Sequence, residues 1–227
     1  MILLAIDTSA SLCAACVWDA AAGRELGRSV RDIGKGHAEQ LMAVVDDALA
    51  AAGIAYDGLG AVAVAVGPGS FTGIRVGVAA ARGLGLALGI PSAGVSTLDA
   101  LADEARAAFP GRPVFAAIDA GRGEYYVAAF DAAGTPAGEA AAVAPQSALD
   151  RLRMHGDAVL AGSAGPALAA AAGGEWDVAS PLPTADIAAY ARLAALRGFA
   201  GEKPRPLYLR DADAKPQAGF VLPRRQG

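Results

Sequence analysis

Leu4-Ala5-Ile6-Asp7-Thr8-Ser9 carries an apolar run into an aspartate and two small hydroxyl residues, and Ala117-Ile118-Asp119-Ala120-Gly121-Arg122-Gly123 repeats that course in the second half of the chain. Each run is followed by a return strand, residues 13–18 in the first case and 124–130 in the second, as an antiparallel hairpin requires. A single aspartate at a strand end is only a turn former, since its side chain bonds the backbone two residues on. Two in matching contexts argue for a duplicated chain. Working outward, the pattern predicts a third strand over 25–30 and a helix over 37–52 with Leu41, Val44, Val45, Ala48 and Leu49 on one face. A strand over 61–66 and a helix over 74–88 follow. The first half thus reads βββαβα. The second half opens with a helix near Leu98 and the hairpin, then a strand over 158–161 and helices over 166–172 and 184–199. A loop at 203–206 leads into 207–210, and a mobile tail is expected from about residue 215. The halves divide as residues 1–97 and 98–227.

Between the fourth strand and its helix lies Gly67-Pro68-Gly69-Ser70-Phe71-Thr72-Gly73-Ile74-Arg75-Val76-Gly77, which holds four glycines and a proline. Glycines in such a place let the backbone turn tightly and aim its N–H groups at a ligand or a neighbouring element. The standard phosphate motifs do not fit. No lysine follows these glycines as a P-loop demands. Thr72 stands where a dinucleotide fingerprint needs its third glycine, and the acidic residue due about twenty positions on is missing. Pro68 and Thr72 flank Ser70 where a nucleophile elbow needs glycines. The alternative is structural. Gly73, Gly77, Ala81 and Gly85 recur every fourth residue as a small ridge, and each interior glycine costs a helix about 1 kcal/mol relative to alanine. Repeated costs of that kind point to close approach of a sheet or a partner helix.

A formal charge of −4 and an isoelectric point near 5.2 argue against a chain that grips nucleic acid alone, because phosphate contacts need clustered lysine and arginine. No basic leader precedes Asp7, and no segment is read as approaching a membrane span, so a soluble cytoplasmic protein is expected. Cys13 and Cys16 have C-x-x-C spacing. On a strand, however, residues three apart face opposite ways, and there is no second cysteine pair for zinc. They read as buried structural cysteines. His37 and His155 are too few and too far apart to suggest a metal site.

Two halves that each open with a strand ending in aspartate and a hairpin suggest the α/β, duplicated actin-like fold of sugar kinases, heat-shock ATPases and actin. There the paired aspartates face a nucleotide cleft, which here would be formed by Asp7, Thr8, Ser9 and Asp119. With residues 4–9, His37-Ala38-Glu39, the 67–77 loop, residues 94–98, the 118–126 hairpin and Tyr208-Leu209-Arg210, the chain resembles the bacterial TsaB (YeaZ) family of tRNA threonylcarbamoyladenosine biosynthesis proteins. The resemblance implies a non-catalytic subunit required for N6-threonylcarbamoyl modification of the adenosine next to the tRNA anticodon. It implies a TsaD-like catalytic paralog and a TsaE-like ATPase as partners, with tRNA met indirectly through the complex. No cofactor is implied, any nucleotide site being vestigial or regulatory. The catalytic relative carries a His-x-x-x-His metal motif on its early helix, whereas His37 is followed at the fourth position by Leu41. The family pairs through N-terminal helices, which points to Leu41, Met42, Val45, Gly73, Gly77, Ala81 and Gly85 as the interface, usable also by a homodimer. The competing reading is a small actin-fold ATPase or kinase using Asp7 and Asp119 around a magnesium nucleotide.

Overall fold

A computed structural model describes residues 1–210. The expected tail lies outside the described residues. The first sheet is built from β1 (Ile2–Asp7), β2 (Leu12–Asp19), β3 (Arg24–Asp32), β4 (Ala61–Gly67) and β5 (Ser92–Ser96), ordered β3-β2-β1-β4-β5. The second takes β6 (Val114–Asp119), β7 (Tyr125–Phe130), β8 (Ala141–Val143), β9 (Val159–Ala161) and β10 (Val178–Ser180), ordered β8-β7-β6-β9-β10. The two orders superimpose strand for strand. In each, a hairpin (Asp7 opposite Ala14, Asp119 opposite Tyr125) is joined by a parallel strand on its other side. The helices are α1 (His37–Ala52), α2 (Phe71–Leu88), α3 (Thr97–Ala108), α4 (Pro145–Arg153), α5 (Gly165–Ala172) and α6 (Ile187–Arg197). The duplication expected from the sequence is present, but each half is βββαβαβα rather than βββαβα, and by topology α3 closes the first half, where the division at residues 97 and 98 made it open the second.

The missed elements are β5, β8, β10 and α4. The three strands are short edge or near-edge pieces whose pairing comes from neighbours, and α4 begins at a proline within a polar stretch. β1 and β4 read clearly because both faces are covered, which makes them continuous apolar runs. β3 sits at an edge and alternates, with Arg28 turned to Asp186 on one face of the sheet and Arg31 to Asp47 on the other.

The layers run helix, sheet, helix, sheet, helix. Leu4, Ile6, Val62 and Val64 face outward under α1 and α2, while Leu3, Ala5, Ala61 and Ala63 face inward. Phe115, Ala117 and Leu160 of the second sheet lie under α4 and α5. The inner layer is the pair α3 and α6, and they are exchanged. α6, from the second half, packs on β1 and β2, and α3, from the first, packs on β6. A charged cluster fastens the exchange. Arg28 pairs with Glu25 and with Asp186 at 2.7 Å, Asp186 caps α6, and Asp103 of α3 receives Arg106 and Arg192.

The small ridge of α2 is used inside this half. A Cβ at Gly73 would fall within contact distance of the Thr8 carbonyl oxygen, one at Gly77 would come to 2.5 Å from Thr8 Oγ1, and one at Gly85 to 3.0 Å from the Ile90 carbonyl. Gly83, in the same helix, has nothing within 4 Å. Gly73→Ala is therefore expected to destabilise the chain by more than about 2 kcal/mol. Gly83→Ala should stabilise it by about 1 kcal/mol. Urea unfolding midpoints of the two variants check the opposite signs.

Candidate functional site at the turn after β1

β1 ends beneath the N-terminus of α2, and the turn is tied on both sides. The Asp7 carboxylate accepts the Ser9 backbone N–H at 2.7 Å, an Asx turn. Thr8 Oγ1 donates to the Gly73 carbonyl at 2.7 Å, and the Ser70 N–H donates to the Ser9 carbonyl at 2.7 Å. Ser70 also caps α2 by accepting from the Gly73 N–H. The loop, which fits none of the standard phosphate motifs, is thus closed on the chain's own backbone. Its Gly67–Pro68 peptide is cis.

The other Asp7 oxygen accepts from the Thr184 hydroxyl at 2.5 Å, and Thr184 lies 2.6 Å from the Tyr190 hydroxyl on α6. Asp7 is 1% exposed and Tyr190 wholly buried. Burial raises the Asp7 carboxyl above its ordinary range, and the bonds from Thr184 and Ser9 only partly offset this. Burial likewise raises the Tyr190 phenol, with Asp7 adding to the effect. The buried hydroxyls of Ser9 and Thr97 lie beside Tyr190, and neither has a hydrogen-bond partner among the described residues. Sequence reading identified Asp7, Thr8 and Ser9 but missed Thr184 and Tyr190. They lie more than 170 positions from Asp7, and no local signal pairs them with it.

Asp119 repeats the Asx turn, accepting the Gly121 N–H at 2.7 Å, but is exposed. The four residues of the expected cleft are therefore divided: three are sealed in the first half and one faces solvent. The residues present do not fit a magnesium nucleotide at Asp7, because the carboxylate is already bonded on both oxygens and presents no surface to solvent. His37 is buried and donates from Nε2 to the Leu12 carbonyl at 3.1 Å. Among the described residues, no three His, Cys, Asp or Glu side chains converge as a metal site would need. Cys13 and Cys16 face opposite sides of the sheet, and burial pushes the Cys13 thiol up to about 11.

Of the interface residues expected from sequence, Leu41, Val45, Gly73, Gly77, Ala81 and Gly85 are buried within the chain, and Met42 is exposed. Helical spacing located a stripe on each helix but could not say which way it turned, and the first sheet takes these two stripes. The face of α2 left open is the opposite one: Ala79, Gly83, Leu86 and Ala87, of which Leu86 is 83% exposed. α1 lies alongside with Met42 and Ala43 exposed. α2 also corrects the membrane reading. Its 18 residues have a mean hydropathy of 1.3, long and apolar enough to cross a membrane, with 33% buried.

The segment 207–210 runs from the glycine loop to the second hairpin. Leu207 N–H donates to the Val66 carbonyl at 2.8 Å, Arg75 Nε donates to Tyr208 OH at 2.9 Å, and Arg210 pairs with Glu124.

Because its folded carboxyl is raised, Asp7 lowers stability as pH climbs above the ordinary value of 3.8, where the unfolded chain has already given up the proton. Asp7→Asn should remove that loss while still accepting from Ser9 and donating to Thr184. Asp7→Ala should cost about 1–3 kcal/mol by leaving both partners unpaired. Urea midpoints across the acid range check this: other carboxyls such as Asp186 are held low and favour the fold as pH rises, so the Asp7 effect is read as a difference, and the midpoint of Asp7→Asn should gain on that of the natural chain as pH climbs above 3.8.

Comparison with known proteins places this geometry. The profile of the family described as "TsaD: tRNA N6-adenosine threonylcarbamoyltransferase" matches residues 31–191. The tRNA threonylcarbamoyladenosine biosynthesis protein TsaB of Escherichia coli is 37% identical over 131 residues, 57% of this chain. That match spans about half of the relative's length, 55%. The solved YeaZ of Pseudomonas aeruginosa superimposes with a TM-score of 0.73 at 31% identity, covering 92% of this chain and 99% of that one. The polyphosphate/ATP-glucomannokinase of Arthrobacter, 14% identical with a TM-score of 0.51 over 87% of this chain and 99% of its own, shares the fold and identifies it as the actin-like sugar-kinase type. Two five-stranded sheets of matching strand order, a profile match across both halves and a solved counterpart that covers 92% of the chain lead to one conclusion: this chain belongs to the TsaD family of tRNA N6-adenosine threonylcarbamoyltransferase proteins, in its TsaB (YeaZ) branch.

Proposed function

We propose that this chain is a partner subunit of the machinery that places threonylcarbamoyl on the adenosine beside the tRNA anticodon, and that it works by docking a catalytic TsaD-like paralog. The outer face of α2 carries the reading. Ala79, Gly83, Leu86 and Ala87 recur at i, i+4, i+7 and i+8, a small-residue stripe that lets another helix approach closely while Leu86 and Met42 supply bulk. An apolar helix with one face on its own sheet and the other open is suited to a helical partner. Arg75 and Arg82 on the same helix disfavour a bilayer as its neighbour.

The sealed Asp7 favours this reading over a magnesium-dependent kinase or ATPase. A TsaE-like ATPase joins the pair, tRNA reaches the chain within the complex, and the assembly is cytoplasmic. Without its paralog, the chain pairs with itself through the same face.

Mixing the purified chain with its paralog, ATP-dependent partner and tRNA should restore threonylcarbamoyl transfer, while the chain alone transfers nothing. Leu86→Glu should weaken pairing at least tenfold by burying a charge, with little change in its own melting temperature. Transfer by the isolated chain, or undiminished pairing by Leu86→Glu in size-exclusion chromatography, would overturn the reading.

A further inference from the structure

Phe71 and Tyr208 are the two aromatic rings among the large apolar side chains the described residues leave exposed, at 53% and 52%. They come from places 137 positions apart, yet their centroids lie 5.7 Å from each other. Arg75 sits between them: its guanidinium carbon is 3.7 Å from the Phe71 centroid and its Nε donates to Tyr208 OH. Among the described residues no carboxylate pairs with Arg75, and α2 carries Arg75 and Arg82 with no acidic residue along its length. Aromatic rings are the side chains that gain most from burial, so two left half-open side by side, held by a guanidinium that no described carboxylate meets, fit a ligand that is flat and anionic.

We propose that Phe71, Arg75 and Tyr208 form a stacking platform for an unpaired base of single-stranded RNA, with Arg75 meeting the adjoining phosphate. Bases stack on aromatic rings and on guanidinium planes alike, and single-stranded loops are where proteins most often read RNA. The chain's overall charge of −4 does not oppose this, because the platform contributes one contact within a complex rather than the whole grip. The platform is preorganised: Leu207 is held by Val66 and Arg210 by Glu124, which fixes Tyr208 over the start of α2. A peptide docking on the same rings is the competing outcome, and the charge on α2 disfavours it only for basic segments.

The inference rests on the proposed function for why RNA is at hand, and its assay is independent of it. Fluorescence anisotropy at low salt, with the whole chain carried to about millimolar concentration because one stacked base and one phosphate bind weakly, should show tighter binding of a fluorescein-labelled RNA hairpin with an unpaired loop than of a fully paired duplex. Phe71→Leu and Tyr208→Leu should each weaken hairpin binding roughly tenfold, and Tyr208→Phe, which keeps the ring, should bind like the natural chain. Arg75→Gln should lower the salt dependence by about 0.7 in the log–log slope, the share of one phosphate contact. Melting temperatures of all four separate lost stacking from lost folding. Equal binding of hairpin and duplex, or leucine variants that bind RNA unchanged but lose affinity for the paralog, would overturn the platform. Failure to restore transfer with intact platform binding would instead sink the functional reading alone.

Discussion

The close approach of α2 to the turn after β1 is the contact on which the first half is organised. Thr8 donates to the Gly73 carbonyl, and a side chain at Gly73 would run into the Thr8 backbone. This lets the helix sit low on the sheet. The ridge of glycine and alanine follows from that depth, since the wall beneath Gly77 and Gly85 is Thr8, Val64 and the backbone of Ile90. The cost of interior glycines is offset by the area of sheet that a low-lying helix covers. It also sets the outer face of α2 as the open one, because the small side must face inward.

The inner layer joins the halves. Each sheet has two apolar faces, and the faces turned toward one another share α3 and α6, exchanged so that neither half is complete without a helix from the other. Asp7 belongs to this layer through Thr184 and Tyr190. A position that could present a carboxylate to a ligand instead ties the first strand to the last described helix. Arg28 with Asp186 repeats the arrangement at the rim, where exposure keeps the pair modest in worth, while Asp103, itself buried, is paired with both Arg106 and Arg192.

Much of the fold could be read from the residues. The strand-aspartate-hairpin repeat predicted the duplication, α1 was bounded by its periodicity between Gly36 and Gly53, both left-handed, and the opposite-facing cysteines followed from strand geometry. Besides α4 and the two distant partners of Asp7, what escaped was of two kinds. β5, β8 and β10 are too short to declare a period, and their pairing is supplied by β4, β7 and β9. The direction of the apolar stripes escaped as well, because α1 and α2 are apolar on more than one side, so that Leu41 and Val45 could equally have met a partner until the sheet was placed under them.

The sequence by itself determined the repeat, the central strands and the position of the glycine loop, since these rest on local rules of turn formation, alternation and backbone freedom. Only the tertiary structure decided what the loop is for. Phosphate cradle and packing joint use the same glycines, and the difference lies in whether the N–H groups and the space above them are left open or filled by Thr8 and Ser9. The same holds for Asp7, whose partners are set by the crossing of α6 onto the first sheet, and for Phe71 and Tyr208, which meet only because residues 207–210 return across the loop. Contacts between residues so far apart are set by how layers stack, and no local pattern encodes that.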